Sequence, residues 1–412
     1  MSWGSGSVIA LLAMVLAACG SGGGGTAGRP EVLRLQAAGG EGELAAARQV
    51  ADAFEAAHPG VQVDFTGVAE QGDHLARLTA AFAAGSPPDA FLLNYRRIGP
   101  FVSRGVVDPV PSTTDVGDFY APPLEAFTAA GALQCLPQNA SSSVVYVNET
   151  LFAKAEVSLP PVSVWSWEEL REIAGRLDAK GVEAIAFEAG LRTVAPFIWS
   201  AGGEVVDDQA APSRIALDTP AARAALELLT DLQTVGYDAR QRAGQDPQDA
   251  FAAGQVAMLI DSRRAVPALR KTGIAFDVRP LPKQRSSASL LAADGWCVSK
   301  ASKQRDLAHR FAAFTTGPVG GRVLAASGRT VPVARGLAES PAFLDPASRP
   351  RNARVFLDAI PGLRRLPNVA AQTEAEETTD DLLAQYFAGR LGLVPLGRAV
   401  EKATAVVYAA RR

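Results

Sequence analysis

An α/β architecture of more than one unit is what this chain of 412 residues predicts, and three observations carry the expectation. Near the start, the hydrophobic period switches in regular order between two residues and about 3.6. After Pro137 the same switching begins again. The length also exceeds what one hydrophobic core serves well, so two or more domains are expected.

Taken in order, "EVLRLQA" from Glu31 alternates as a strand. Leu44, Ala47, Val50, Phe54 and Ala57 then recur at three and four residues, until His58-Pro59-Gly60 stops the helix. "VQVDF" alternates again, and Leu75, Leu78 and Phe82 mark a second helix that Gly85-Ser86-Pro87-Pro88 ends before the apolar strand "DAFLLN". This βαβαβ succession belongs to a sheet with helices on its faces. Ligands collect beyond the carboxyl ends of such strands, which directs attention to residues 37–42 and 94–97. In the second region Ser166-Trp167-Glu168-Glu169 reads as a capping box and "VEAIAFE" as a strand. Thr219-Pro220 opens a helix running to Gly236, and Asp246-Pro247 opens another. "VAMLI" reads as a buried strand, "IAFDVRPLP" alternates, and the pattern beyond Lys300 is mostly helical.

Composition excludes several classes. Hydrophobic residues at 48% and charged residues at 20% describe a folded chain rather than a disordered one. A net charge of −3 leaves no footprint for nucleic acid. His58, His74 and His309 fall on separate elements without H-E-x-x-H or C-x-x-C spacing, and Lys271-Thr272 lacks the glycine of a phosphate loop. No metal, nucleotide or other cofactor is therefore expected. A glycosidase needs two carboxylates roughly 5 to 9.5 Å apart. Asp261 with Asp294 or Glu41 could be so arranged, but nothing in the sequence sets that spacing, and an enzyme is not expected.

Residues 8–18 carry no charge and include Leu11, Leu12, Met14, Val15 and Leu16, about the length of a signal-peptide apolar region and too short to span a bilayer. The following Leu16-Ala17-Ala18-Cys19 resembles a bacterial lipobox. That resemblance implies that residues 1–18 are a lipoprotein signal peptide and that Cys19 is acylated. Residues 19–30 would be a flexible glycine-rich tether at the extracytoplasmic face of the membrane. Cys135 and Cys297 then remain as an even pair in an oxidising compartment. A disulfide is expected, with two buried free thiols as the alternative.

Seven stretches carry a wider resemblance: "FEAAHPGVQVDF", "AAGSPPDAFLL", "LPQNASSSVVYVNETLF" with "SWEELREIAGRL", "FIWSAGGEVVD", "DAFAAGQVAMLIDSRR", "GWCVSKASKQRDLAHRFAAF" and "SGRTVPVARG". In these the chain resembles the family 1 extracellular solute-binding proteins, the maltose-binding-protein-like receptors of ABC sugar importers, over nearly its whole mature length. The resemblance implies a two-lobed periplasmic-binding-protein-like fold with a hinge and an interlobe ligand cleft. Residues 33–136 with 281–332 would form the N-terminal lobe, and residues 137–280 with 333–412 the C-terminal lobe. A monomer would capture a carbohydrate, from one to three rings or an amino sugar, and deliver it to ABC permease subunits in the membrane. A glycerophosphodiester or other polyol is the alternative ligand, and an adhesin on the same fold the rival class. The resemblance also sets the strand entering "LPQN" beside "GWCVS", which gives Cys135 and Cys297 a geometric reason to bond.

A sugar offers apolar C–H faces and a rim of hydroxyls, so its receptor needs aromatic plates and side chains that give and take hydrogen bonds. Candidates are Asn94, Tyr95 and Arg96 in "LNYRR", Gln138, Asn139 and Ser141 in "PQNASS", and Asp261, Ser262 and Arg263 in "IDSRR". Asp294, Gly295 and Trp296 in "ADGW" join them, with Glu41 and Arg329. Trp296 is the first choice for a stacking plate, with Gly295 letting the backbone approach the cleft, and Trp199 before Gly202-Gly203 is the second. A core position is the competing reading for both, and Trp167 is assigned to the fold. Arginines facing the cleft, Arg96 and Arg263, would suit an anionic or amino-sugar ligand.

Overall fold

The computed structural model describes residues 30–236 and 245–410, so the signal-peptide and lipidation expectations at residues 1–29, Cys19 included, lie outside the described residues. Two sheets are built from β1 (Glu31–Ala38), β2 (Val61–Val68), β3 (Ala90–Asn94), β4 (Val107–Asp108), β5 (Cys135–Pro137), β6 (Ser143–Asn148), β7 (Glu183–Phe187), β8 (Val256–Ser262), β9 (Phe276–Arg279) and β10 (Asp294–Ser299). The first has the order β2-β1-β3-β10-β4, with β5 also on β10. β1 runs parallel to β2 and β3, while β10 returns antiparallel from far along the chain and pairs Trp296 with Leu92. The second has the order β9-β6-β8-β7; β6 is antiparallel to both neighbours, and β8 is parallel to β7.

Each sheet is covered on both faces. Leu33, Leu35, Phe54, Trp296 and Phe311 fill one side of the first sheet, and Leu78, Phe91, Leu93 and Phe127 the other. Val145, Trp167 and Leu229 lie on one side of the second, with Tyr146, Phe251, Leu259 and Phe276 opposite. This double cover is why "VAMLI" is an unbroken apolar run, since Val256 to Ile260 are all buried. On β9 it overrides the alternation read in "IAFDVRPLP": all four residues of Phe276–Arg279 are buried. The polar pair is satisfied inside, with Asp277 Oδ1 accepting the Asn352 N–H at 3.0 Å and Arg279 Nε donating to the Pro160 carbonyl at 2.6 Å.

The helices that matter for the site are α1 (Glu41–Ala57), α2 (Gln71–Ala83), α3 (Trp167–Asp178), α4 (Leu191–Ser200), α5 (Pro220–Thr234), α6 (Arg305–Thr316), α7 (Gln372–Phe387) and α8 (Leu393–Ala410). α3 opens with the expected capping box: the Ser166 hydroxyl accepts from the Glu169 N–H at 3.2 Å, and the Glu169 carboxylate accepts from the Ser166 N–H at 2.6 Å. Such a cap is worth about 1 kcal/mol. Trp167 behind it is buried, with its ring centroid 5.8 Å from that of Phe197. Cys135 and Cys297 stand in register on β5 and β10 and form a disulfide.

Three chain segments cross between the sheets. Residues 138–142 leave β5 for β6, with Asn139 bridging to Pro332 and Ser141 to Ala292. Residues 280–293 return from β9 to β10. A third segment, before α7, ties back to the first sheet's side: the Leu366 N–H donates to the Tyr95 hydroxyl at 3.1 Å and Asn368 Nδ2 to the Ala126 carbonyl at 2.8 Å. Gly99 is required at this crossing, because a Cβ there would stand 2.5 Å from the Val369 backbone. No helix among the described residues is long and apolar enough to cross a membrane.

Candidate functional site

A cavity of about 350 Å³ opens between the two sheets. Its first wall is the turn after β3. Asn94 ends the strand, and its Oδ1 accepts from the Arg96 N–H at 3.3 Å, starting the short 3-10 turn that carries Arg96 and Arg97. The opposite wall is the carboxyl end of β8, the first turns of α4 with Arg192, Thr193 and Pro196, and Glu188 after β7. Ser141, Ser143 and residues 290–292 of the crossing segments form the floor, and Arg329 and Asp294 complete the first wall.

The polar groups are ordered by one another. Asp294 receives Asn94 Nδ2 on one oxygen and Asn139 Nδ2 on the other, each at 3.1 Å, while its own N–H donates to Asn139 Oδ1 at 3.1 Å. Both amides are thereby fixed in orientation, and among the described residues no cationic side chain pairs with the Asp294 carboxylate. Arg96 donates from Nε to Asn94 Oδ1 at 3.2 Å and from Nη1 to Glu376 on α7, whose other oxygen takes Gln372 Nε2 at 3.1 Å. The Tyr408 hydroxyl of α8 then donates to Gln372 Oε1 at 2.8 Å, so a chain of bonds runs from α8 to the cavity. Burial opposes the Arg264 charge, but Asp261, at 2.9 Å, and Glu188 more than restore it and hold its pKa above the usual value. Burial raises the Glu43 carboxyl against the pull of Arg329, which it meets at 2.6 Å.

Of the fifteen residues expected from sequence, Asn94, Arg96, Asn139, Ser141, Asp261, Ser262, Asp294 and Arg329 line this cavity. The remaining seven do not, and each departure has a physical cause. Trp296 shares a pleat face with Asp294 but lies two residues, about 7 Å, further along the strand. It sits beneath α6 with its ring edge-on to Phe311 at 4.9 Å, and its Nε1 donates to Gln138 Oε1 at 2.8 Å. That bond also removes Gln138 from the ligand. Gly295 is needed for a different approach, since a Cβ there would meet the Phe127 ring at 2.8 Å. Trp199 is buried against the second sheet's core, with the Arg364 guanidinium 5.2 Å from its ring.

Tyr95 is fully buried and its hydroxyl is occupied by Leu366; burial pushes its pKa up to about 12. Arg263 points away from the cavity, its guanidinium 4.2 Å from the Phe343 ring and 5.1 Å from Phe356, and burial lowers its pKa to about 9. The one-residue step of the 3-10 turn brings Arg264 into the cavity instead. Glu41 is exposed in the first turn of α1, and Glu43, two residues on, is the carboxylate that reaches Arg329.

Among the described residues, no aromatic side chain lines the cavity. Residues the sequence reading missed include Gln71, Arg97, Glu188, Arg192, Thr193, Asp246 and Gln248. The carboxyl-end rule, applied to β7 as it was to β3, points at Glu188 and the start of α4. A groove of about 640 Å³ lies elsewhere, around Gly202, Gly203, Asp207 and Arg214, with walls from the ends of α4 and α5. Among the described residues, no three His, Cys, Asp or Glu stand where they could hold a metal ion.

Two double-covered sheets joined by crossing segments, with a polar cavity between them, define a two-lobed binding protein. The chain belongs to the family described as bacterial extracellular solute-binding protein, whose model matches residues 38–321. An ABC substrate-binding protein of Listeria monocytogenes, solved with cycloalternan, superposes with a TM-score of 0.83 at 21% identity, over 92% of this chain and 99% of that one. The GacH receptor of Streptomyces glaucescens, solved without ligand and with acarbose, gives 0.79 at 20% identity, over 93% and 100%. A binding protein of Brucella abortus is 28% identical over 225 residues, which are 52% of this chain and 53% of that one. The chain thus spans about half the length of this curated relative. The family's matches are substrate-binding receptors rather than enzymes.

Proposed function

We propose that the protein is the substrate receptor of an ABC importer, capturing a carbohydrate or related polyol in the cavity between its lobes and presenting it to permease subunits in the membrane. The observation that carries this is the set Asn94, Asn139 and Asp294: two amides and a carboxylate fixed by one another at the mouth of a 350 Å³ cavity. Such groups give and take hydrogen bonds at the spacing of a hydroxyl rim. The ligands in the two structural relatives, cycloalternan and acarbose, are carbohydrates. A ligand touching both walls favours the closed arrangement, so binding shifts the lobes from open to closed. The moving units we assign are residues 33–136 with 281–332 and residues 137–280 with 333–412. Lipidation of Cys19 would hold the receptor beside its permease at the extracytoplasmic face, and Cys19→Ser should release it from membranes.

A glycerophosphodiester or another polyol is the second reading, favoured by a cavity lining that holds no stacking ring among the described residues. The test is a thermal-unfolding screen against mono-, di- and trisaccharides, amino sugars and glycerophosphodiesters. A specific ligand at 100 times its Kd adds about 2.7 kcal/mol of stability, a shift of a few degrees. No shift with any of them would favour an adhesin on this fold.

A further inference from the structure

Five arginines among the described residues line the cavity, and they are not equivalent. Arg96 is hydrogen-bonded to Glu376, Arg264 to Asp261 at 2.9 Å, and Arg329 meets Glu43 at 2.6 Å. Arg97 and Arg192 lack such a partner among the described residues. The nearest carboxylate to Arg97 is Glu377 at 3.6 Å, whose side chain is 68% exposed. Arg192 has Glu188 at 3.5 Å, 55% exposed and also 3.8 Å from Arg264. Pairs of this length in contact with water contribute little. Arg97 Nη1 is buried and makes no hydrogen bond.

The two side chains come from opposite walls, Arg97 from the turn after β3 and Arg192 from the first turn of α4. Two guanidiniums facing one cavity repel, and bringing the walls together makes this worse unless an anion stands between them. Burial lowers the Arg97 pKa, and repulsion from Arg96 and Arg192 adds to the effect against the pull of Glu376 and Glu377. An oxyanion would accept from both forks and convert the repulsion into a bridge.

Resting on the receptor reading above, we propose that the ligand carries an anionic group, a phosphate or a carboxylate, seated between Arg97 and Arg192. The anion is then the element that couples binding to closure, because each wall supplies one of its two partners. The neutral hydroxyl rim is left to Asn94, Asn139 and Asp294. The absence of a stacking ring among the described lining residues fits this division, since charge-assisted hydrogen bonds hold the ligand where a sugar face would otherwise need a plate.

The experiment is calorimetric titration with matched sets that differ in charge: glucose, glucose 6-phosphate and glucuronate; glycerol, glycerol 3-phosphate and glycerophosphocholine. An anionic member should bind at least about ten times more tightly than its neutral counterpart, and more weakly at high salt. The phosphate and carboxylate arms tell the two sources of the charge apart. Arg97→Gln and Arg192→Gln should each weaken the anionic ligand by about 10- to 100-fold and the neutral one far less, with thermal unfolding of the free variants no lower than that of the parent. Arg192→Glu should abolish the preference for charge. A neutral member binding as tightly as its charged partner would overturn the proposal and leave the receptor reading standing. So would Gln variants that keep their affinity for the anion. Failure of every charged member to bind would overturn the proposal and leave the receptor reading to the unfolding screen.

Discussion

Asp294 occupies the position where one side chain sets the geometry of two others. Replacing it by alanine removes the acceptors of Asn94 Nδ2 and Asn139 Nδ2, and both amides lose their fixed orientation. The expected result of Asp294→Ala is at least a tenfold loss of affinity, about 1.4 kcal/mol, measured by calorimetry. Trp296→Phe should do the opposite. It strips Gln138 Oε1 of its buried donor and costs about 1 to 3 kcal/mol of stability while affinity stays the same. A loss of affinity in the Trp296→Phe variant with no loss of stability would return the tryptophan to the binding site. The contrast shows what was legible at this scale. Asn94 could be placed because the carboxyl-end rule acts on it directly, and Asp294, which opens the antiparallel β10, pairs with it. Trp296 and Arg263 could not, because two residues of strand or one residue of 3-10 turn separate cavity from core, and composition carries no such resolution.

Helix α4 supplies Arg192 and Thr193 to the cavity, and its start is held by a carboxylate from another helix. Asp380 of α7 accepts the Leu191 N–H at 2.6 Å. Burial raises the Asp380 pKa to about 6, against the lowering effect of the Leu191 bond, with Glu376 and Glu188 adding to the rise and Arg192 opposing it. The folded state therefore holds this proton more tightly than the unfolded chain, whose carboxyl titrates near 3.8. Stability contributed by Asp380 is present at low pH and is lost as pH rises through about 4 to 6. Asp380→Asn keeps the acceptor and removes the charge. It should raise the Tm near neutral pH by about 1 to 3 degrees, with the gain vanishing near pH 3. An equal Tm at neutral pH would refute this assignment.

The β5 to β10 pairing offers a second check on an element. The Cys135 to Cys297 bridge spans 162 residues. Closing a loop of that length is worth about 5 kcal/mol in the chain-entropy model. Reduction, or the Cys135→Ser/Cys297→Ser double variant, should lower the Tm by several degrees, and an unchanged Tm would contradict the role given to the bond. Most strands and helices were readable because hydrophobic period and capping agreed, as at Ser166 to Glu169. β9 was read from its alternation, but its burial on both faces was not, because Asp277 and Arg279 find partners inside and an alternating pattern cannot announce that both faces will be covered.

For the whole molecule, the account requires that lobes assembled from separate chain segments move as units about three crossings. The bonds across those crossings are few and specific: Asn139 and Ser141 with their bridges, Tyr95 with Leu366, and Arg96 with Glu376. Asn139, Ser141 and Arg96 line the cavity, while Tyr95 and Leu366 are buried behind it. On the proposed reading, a ligand held by groups of both walls stabilises the closed form by the difference in its contacts with the two forms. Sequence alone revealed the two units and the class of receptor. The charge of the cavity emerged only when Arg97, Arg192 and Glu188 were brought together from distant segments. The most direct test is small-angle X-ray scattering of the protein with and without a saturating ligand from the unfolding screen. A smaller radius of gyration with ligand is the predicted result, and identical profiles with the cavity saturated would contradict closure about the hinge.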